Sequence, residues 1–237
     1  FISGKKMNRL NLWADKENLK EYICNFSKAY PPYIFRSPLH DKSPLFFAIP
    51  KKKIERVYSP MTGLAELMSM PEKNLDEHLR TVVELVSFIL KSNLELKDLG
   101  ITYSTLMGNY SPNMSDINIV VYGKKKFWKL MEFLEKNSHK GLRWKTYEEW
   151  EEFYKKRNRH IIHKKEIYIK NMHRKKSEGF FKKILFIIFA VENENEAWFK
   201  WGEERYRRMG SAKFEAIVND NKDSIVRPGC YTISESK

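Results

Sequence analysis

Apolar positions along the chain recur with two different periods, and the switches between those periods mark out its elements. In residues 15–30, Leu19, Tyr22, Ile23 and Phe26 recur at helical spacing until Pro31-Pro32 interrupts them. Tyr33-Ile34-Phe35 and Leu45 to Pro50 read as short strands, the second followed by Lys51-Lys52-Lys53. Ser59-Pro60 opens a short helix to about Met68, and Asn74 with Glu77 predicts a capping box for a helix over 75–92. That helix puts Leu79, Val82, Val83, Val86, Ile89 and Leu90 on one stripe. Leu99 to Tyr103 and Ile117 to Tyr122 are predicted strands, joined by a turn-forming segment with Gly108, Asn109, Ser111, Pro112, Asn113 and Ser115.

The second half continues in the same manner. Lys124 to Lys136 predicts a helix with Phe127, Leu130, Met131 and Leu134 inward. Three lysines at its head oppose the helix dipole, and two readings are equally open: that they hold an anion, or that they splay into water. Thr146 and Glu149 form a second capping box, opening TYEEWEEFYKKR with its acids first and its bases last. Trp150, Phe153 and Tyr154 of that helix are core candidates. Strands are then expected at Glu166 to Lys170 and Lys183 to Val191, separated by a basic turn at His173-Arg174-Lys175-Lys176. Two or more strands are expected between Ser211 and Ser234.

The stretch 99–123, LGITYSTLMGNYSPNMSDINIVVYG, carries the candidate chemistry. Asp116 opens the second strand and Asn118 follows at i+2, so both side chains belong to one face of the sheet. Tyr103-Ser104, eleven residues and then Asp116-Ile117-Asn118 resembles the nucleotidyltransferase fold of the DNA polymerase β type. In that family the pattern is Gly-Ser followed by Asp-h-Asp, where h is apolar. The two carboxylates bridge Mg²⁺ ions, and the Gly-Ser turn brings backbone N–H groups to a triphosphate. Here Tyr103 stands in place of Gly, and Asn118 in place of the second Asp. An amide oxygen can coordinate a cation, but it does not offset the charge of two divalent ions.

FFAIPKKKIERVYSP (46–60), residues 98–123 and GSAKFEAIVNDNKDSIVRPGCYTI (210–233) together resemble one archaeal family of predicted nucleotidyltransferases. The resemblance implies an α+β fold: a mixed sheet of polymerase β type flanked by helices. A small N-terminal α/β region over 1–72, a core over 73–200 and a β-rich region over 201–237 are expected. Asp116 and Asn118 would be vestigial catalytic positions, Asp116 the candidate metal ligand, and Ser104 and Ser115 vestigial nucleotide contacts. A third carboxylate is needed from a neighbouring strand. Glu166 and Glu215 are the candidates, since KILFIIFAV carries no acid.

Composition narrows the partners. A hydrophobic fraction of 42% excludes a disordered tail, and the longest apolar run, Ile184 to Val191, is far too short to span a membrane. Two cysteines, Cys24 and Cys230, fit a reducing cytoplasm and exclude a disulfide framework. The chain starts at Phe1 rather than Met, so residues upstream are expected. A net charge of +14 points to a polyanionic partner, against the alternative of a generally lysine-rich surface.

Residues 155–183 hold twelve Lys/Arg against two Glu, so +10 of the +14 lies there. Lys155, Lys156, Arg157, Arg159, Lys164, Lys165, Arg174, Lys175, Lys176, Lys182 and Lys183 are the candidate nucleic-acid contacts, with Tyr154 and Tyr168 nearby for stacking. His160, His163 and His173 lie in this cationic stretch without ligand-spaced partners and predict no zinc site. Three functions fit these features. One is an inactive or weakly active nucleotidyltransferase-like protein that binds RNA or a ribonucleoprotein such as the ribosome and needs no cofactor. Another is an active enzyme using Mg²⁺ and an NTP. The third is an interaction subunit with an acidic protein partner.

Overall fold

The computed structural model describes residues 16–41, 45–112, 114–157 and 163–234. In chain order the elements are α1 (Lys16–Ala29), β1 (Ile34–Arg36), β2 (Leu45–Phe47), α2 (Pro60–Met68), α3 (Glu77–Leu90), β3 (Leu99–Ile101), α4 (Tyr103–Met107), β4 (Ile117–Tyr122) and α5 (Lys124–Lys136). There follow β5 (Leu142–Trp144), α6 (Tyr147–Arg157), α7 (Lys165–Lys175), β6 (Glu178–Phe181), β7 (Ile184–Val191), β8 (Ile217–Asp220) and β9 (Thr232–Ser234). Contacts divide the chain into two units, 58–196 with 218–233, and 16–57 with 197–217.

The first unit is α+β, built on a mixed five-stranded sheet ordered β3-β4-β7-β6-β5 and flanked by helices. Only the β4–β7 pair is parallel; the other three pairs are antiparallel. Alternation along the central strands sorts the two faces. Ile117, Ile119 and Val121 of β4 and Ile184, Phe186 and Ile188 of β7 join one buried cluster with Leu79, Val82, Leu85, Val86 and Ile89 of α3 and Phe127, Leu130 and Leu134 of α5. Each such side chain contributes about 1.5–3 kcal/mol when fully buried, so this face drives the sheet together. On β7 the alternate residues Leu185, Ile187 and Phe189 are only half-buried and form the opposite, more open face.

Local signals explain most helix starts. Ser59 caps α2, its hydroxyl accepting from the Thr62 amide, and Pro60 stands at the first helical position. Thr146 and Glu149 exchange the reciprocal bonds of a capping box at 3.3 and 2.9 Å. The cap of α3 is Asp76, accepting from the Leu79 amide at 2.8 Å, rather than the expected Asn74. Asn74 instead ends a short 3-10 turn, so the helix starts two residues later.

The predicted strand over Glu166 to Lys170 is the first half of α7. Its alternating apolar residues pack at helical spacing instead. Ile169 is buried, and the Tyr168 ring meets those of Trp150 and Tyr154 on α6 at 6.5 and 5.5 Å. An acid in the first turn and His173, Arg174 and Lys175 in the last also suit a helix dipole. The supposed basic turn at 173–176 is therefore the end of that helix, with Lys176 in left-handed conformation (φ 47°). The strand that follows is β6, and its hairpin turn to β7 falls at Lys182-Lys183.

In the second unit, α1 packs aromatic residues on the β1–β2 hairpin, with Phe26 and Phe47 centroids 4.8 Å apart. Within this unit the 197–217 segment is tied back by Tyr206, whose amide donates to the Leu39 carbonyl at 2.6 Å.

Gly100 on β3 leaves no room for a side chain. A Cβ there would lie 2.8 Å from Pro60 Cβ and 2.9 Å from both the Pro60 carbonyl carbon and Val120 Cγ2. Gly100→Ala is expected to destabilise the protein by about 1–3 kcal/mol in urea denaturation, as overpacking of a filled site does.

Candidate functional site

Strand register assembles a line of polar groups on the open face. Asn118 of β4 pairs with Ile187 of β7, which in turn pairs with Glu178 of β6. The β5–β6 register, continued one residue beyond Trp144 and Gly179, sets Lys145 against Glu178. Residues abreast in a sheet project to the same side, so Asn118, Ile187, Glu178 and Lys145 form one transverse row. Asp116, two residues before Asn118, stands at its edge. The acid that a neighbouring strand brings abreast of Asn118 is Glu178, while the two expected candidates, Glu166 and Glu215, lie elsewhere. Glu166 is exposed on α7, and Glu215 belongs to the other unit, outside any strand. The signal in the sequence was faint: an acid two residues before a Phe-Phe pair, inside a stretch dominated by cations.

The row brings its own cation. Lys145 Nζ forms an ion pair with Glu178 Oε1, the two side chains being only 7% and 14% exposed. The same ammonium lies 4.4 Å from the Trp150 ring centroid and 5.1 Å from that of Phe153. Asn118 is buried, and its amide nitrogen donates to the Asp116 carbonyl at 3.4 Å. Burial pushes the Asp116 carboxyl above its ordinary pKa, and the charge of Glu178 adds to this, with Lys145 opposing.

Two carboxylates against one ammonium leave a single formal negative charge. Burial disfavours the charge on one carboxylate, the other is engaged by lysine, and the third group is a neutral amide. This donor set does not fit a pair of divalent cations. Among the described residues no group of three or more His, Cys, Asp or Glu is placed to hold a metal ion.

The turn that precedes the row is firmly held. The Thr102 amide donates to the Asn118 carbonyl at 3.0 Å, so the chain leaves β3 alongside Asn118. Tyr103 then adopts φ 53°, the left-handed region that glycine enters freely and that costs a bulky residue about 1–2 kcal/mol. Its side chain is 61% exposed. Ser104 lies in the first turn of α4, its carbonyl accepting from the Asn109 amide at 2.9 Å. Ser115 closes the 111–115 turn, its hydroxyl accepting from the Ser111 amide at 2.9 Å. Buried His78 bonds Thr105 through Nε2 at 3.0 Å and stacks on Tyr110, whose hydroxyl donates to Asp76 at 2.6 Å. The turn is thereby fastened to the start of α3.

The cations fall into distinct settings. Two of the three lysines heading α5, Lys124 and Lys126, hold the protein's own acids. Lys124 pairs with Asp223 at 2.7 Å and Glu192 at 3.2 Å, while Lys126 meets Asp98 at 2.5 Å. The Glu196 carboxylate accepts from the Lys124 amide, supplying the negative charge that the start of the helix favours. Lys155 and Lys165 share Glu151, and Lys182 pairs with Glu84. Arg157 lies over the Phe153 ring. Lys183 stands in the hairpin turn at the far end of β6, away from Glu178. Arg159 and His160 lie outside the described residues. Lys156, Lys164, Lys170, Arg174 and Lys176 make no ion pair with an acid among the described residues. Exposed Lys170 and Arg174 are one helical turn apart on α7.

Comparison with known proteins finds a distant likeness. The chain is 28% identical over 195 residues to an uncharacterized protein of Methanocaldococcus jannaschii, a match covering 80% of this chain and 55% of the relative. The chain thus spans about half the length of the curated relative it matches. No family model and no solved structure matches it. No helix among the described residues is long and apolar enough to cross a membrane.

A carboxyl whose pKa is raised on folding supports stability below its ordinary range and loses that support as pH rises through the folded value. Asp116→Asn is therefore expected to stabilise the protein at pH 7, with the gain shrinking as pH falls toward 4. Urea denaturation of both proteins at the two pH values measures the difference.

Proposed function

We propose that this chain is a nucleotidyltransferase-like protein of the polymerase β type that has abandoned metal chemistry and binds RNA or a ribonucleoprotein, the ribosome included, through a cationic surface. The observation that carries this reading is the Lys145–Glu178 ion pair beside Asn118. On this reading Asp116, Asn118 and Glu178 stand for the three metal-binding carboxylates of the polymerase β pattern, and one is an amide while another is neutralised from within. Tyr103 supports the same conclusion: it keeps the left-handed backbone natural to the pattern's glycine while filling the approach with a phenol ring. The cationic helix α7, with Lys170 and Arg174 exposed and unpaired among the described residues, supplies phosphate contacts that carry no sequence code.

The feature that favours a working enzyme instead is Glu178 itself, an acid on the strand where a third carboxylate belongs. Calorimetry separates the two. Titration with ATP and Mg²⁺ is expected to show no saturable binding, and Mg²⁺-dependent binding would restore the enzyme reading. A structured RNA is expected to be retained with an affinity that falls steeply with salt. Replacing both Lys170 and Arg174 by Glu should lower the slope of log affinity against log salt by about 2. Retention of acidic protein but not RNA would favour an interaction subunit.

A further inference from the structure

Leu185, Ile187 and Phe189 form a half-buried apolar strip along the middle of the open face. Asn118 and Asp116 border it on the β4 side, and the Glu178–Lys145 pair borders it on the β6 side. An apolar floor with a few fixed polar groups at its margins is the usual make-up of a small-ligand site.

Two residues from separate elements meet on Phe189 at one end of this strip. The Tyr103 ring stands edge-on to that of Phe189, with centroids 6.2 Å apart. The Arg227 guanidinium lies over Phe189, its central carbon 5.5 Å from the centroid. A guanidinium laid on a ring still presents N–H groups at its edge, in the planar arrangement that matches phosphate.

Tyr103 is the least economical residue of the group. It holds a strained backbone that a glycine would adopt freely, and its ring gains little burial in return. An exposed ring beside a guanidinium and an apolar floor is suited to stacking a flat base next to its phosphate.

Resting on the reading of the chain as a metal-free RNA binder, we propose that this face takes one unpaired nucleotide of the bound RNA, its base against Tyr103 and its phosphate on Arg227. The duplex part of the RNA would then lie on α7, and the unpaired end would enter the sheet face. No metal takes part, because Lys145 already supplies the cation within the row.

Fluorescence anisotropy of the full chain in EDTA tests this with two probes, a blunt RNA hairpin and the same hairpin carrying a short unpaired 3′ tail. The tail is expected to tighten binding about tenfold, the scale of one base–aromatic stack. Tyr103→Gly, which suits the left-handed backbone and so preserves the fold, should abolish that gain, and Tyr103→Phe should keep it. Equal binding of the two probes by the unmodified protein would overturn the proposal. So would a Tyr103→Gly protein that weakens both probes alike. If neither hairpin binds, the RNA reading itself falls and this inference falls with it.

Discussion

An ammonium buried among carboxylates governs the open face of this protein. Lys145 is held in place from both sides, by Glu178 within the sheet and by the Trp150 and Phe153 rings of α6. Taking either charge out of water is costly, and their mutual attraction offsets that cost only while both are present. The pair therefore fixes the short strands β5 and β6 in register against each other. It also keeps Glu178 from acting as a free anionic ligand. Fold and chemistry are settled at the same contact.

The sheet makes that contact possible by its order. A single parallel pair at the centre places β4 next to β7, and β6 returns antiparallel on the far side, so three strands deliver Asn118, Ile187 and Glu178 abreast. Gly179 lets β5 come close enough to complete the row, since a Cβ there would lie 2.8 Å from the Arg143 carbonyl oxygen. One face of the sheet is consumed by the core, and the other stays partly open. The cationic helix α7 leads straight into β6, so its exposed lysines and arginine and the Glu178–Lys145 pair are joined by two residues of chain.

Much of this was legible in the sequence. The helical stripes of α3 and α5, the strand from Ile117 to Tyr122 and the Thr146–Glu149 capping box all depend on local periodicity, and they stand as expected. The shared face of Asp116 and Asn118 was likewise readable from spacing alone. What escaped depended on tertiary partners. EIYIK alternates as a strand would, but Trp150 and Tyr154 on α6 give Tyr168 a helical surface to pack on. Once that segment is helical, the sheet must take its next strand from SEGFF, and Glu178 becomes the acid on the row. For the lysines heading α5 the sequence left a held anion and plain solvent equally open. Lys124 and Lys126 meet Asp223, Glu192, Asp98 and Glu196, which no local pattern connects to them.

The most direct measurement is Mn²⁺ binding, followed by paramagnetic resonance, in the unmodified chain and in the Lys145→Ala, Asn118→Asp double variant. If the lysine stands in for the metal, the unmodified protein should bind no Mn²⁺ at this face, and the double variant, with three free carboxylates, should acquire a site that Asp116→Asn removes. Tight Mn²⁺ binding by the unmodified protein, abolished by Asp116→Asn, would contradict it.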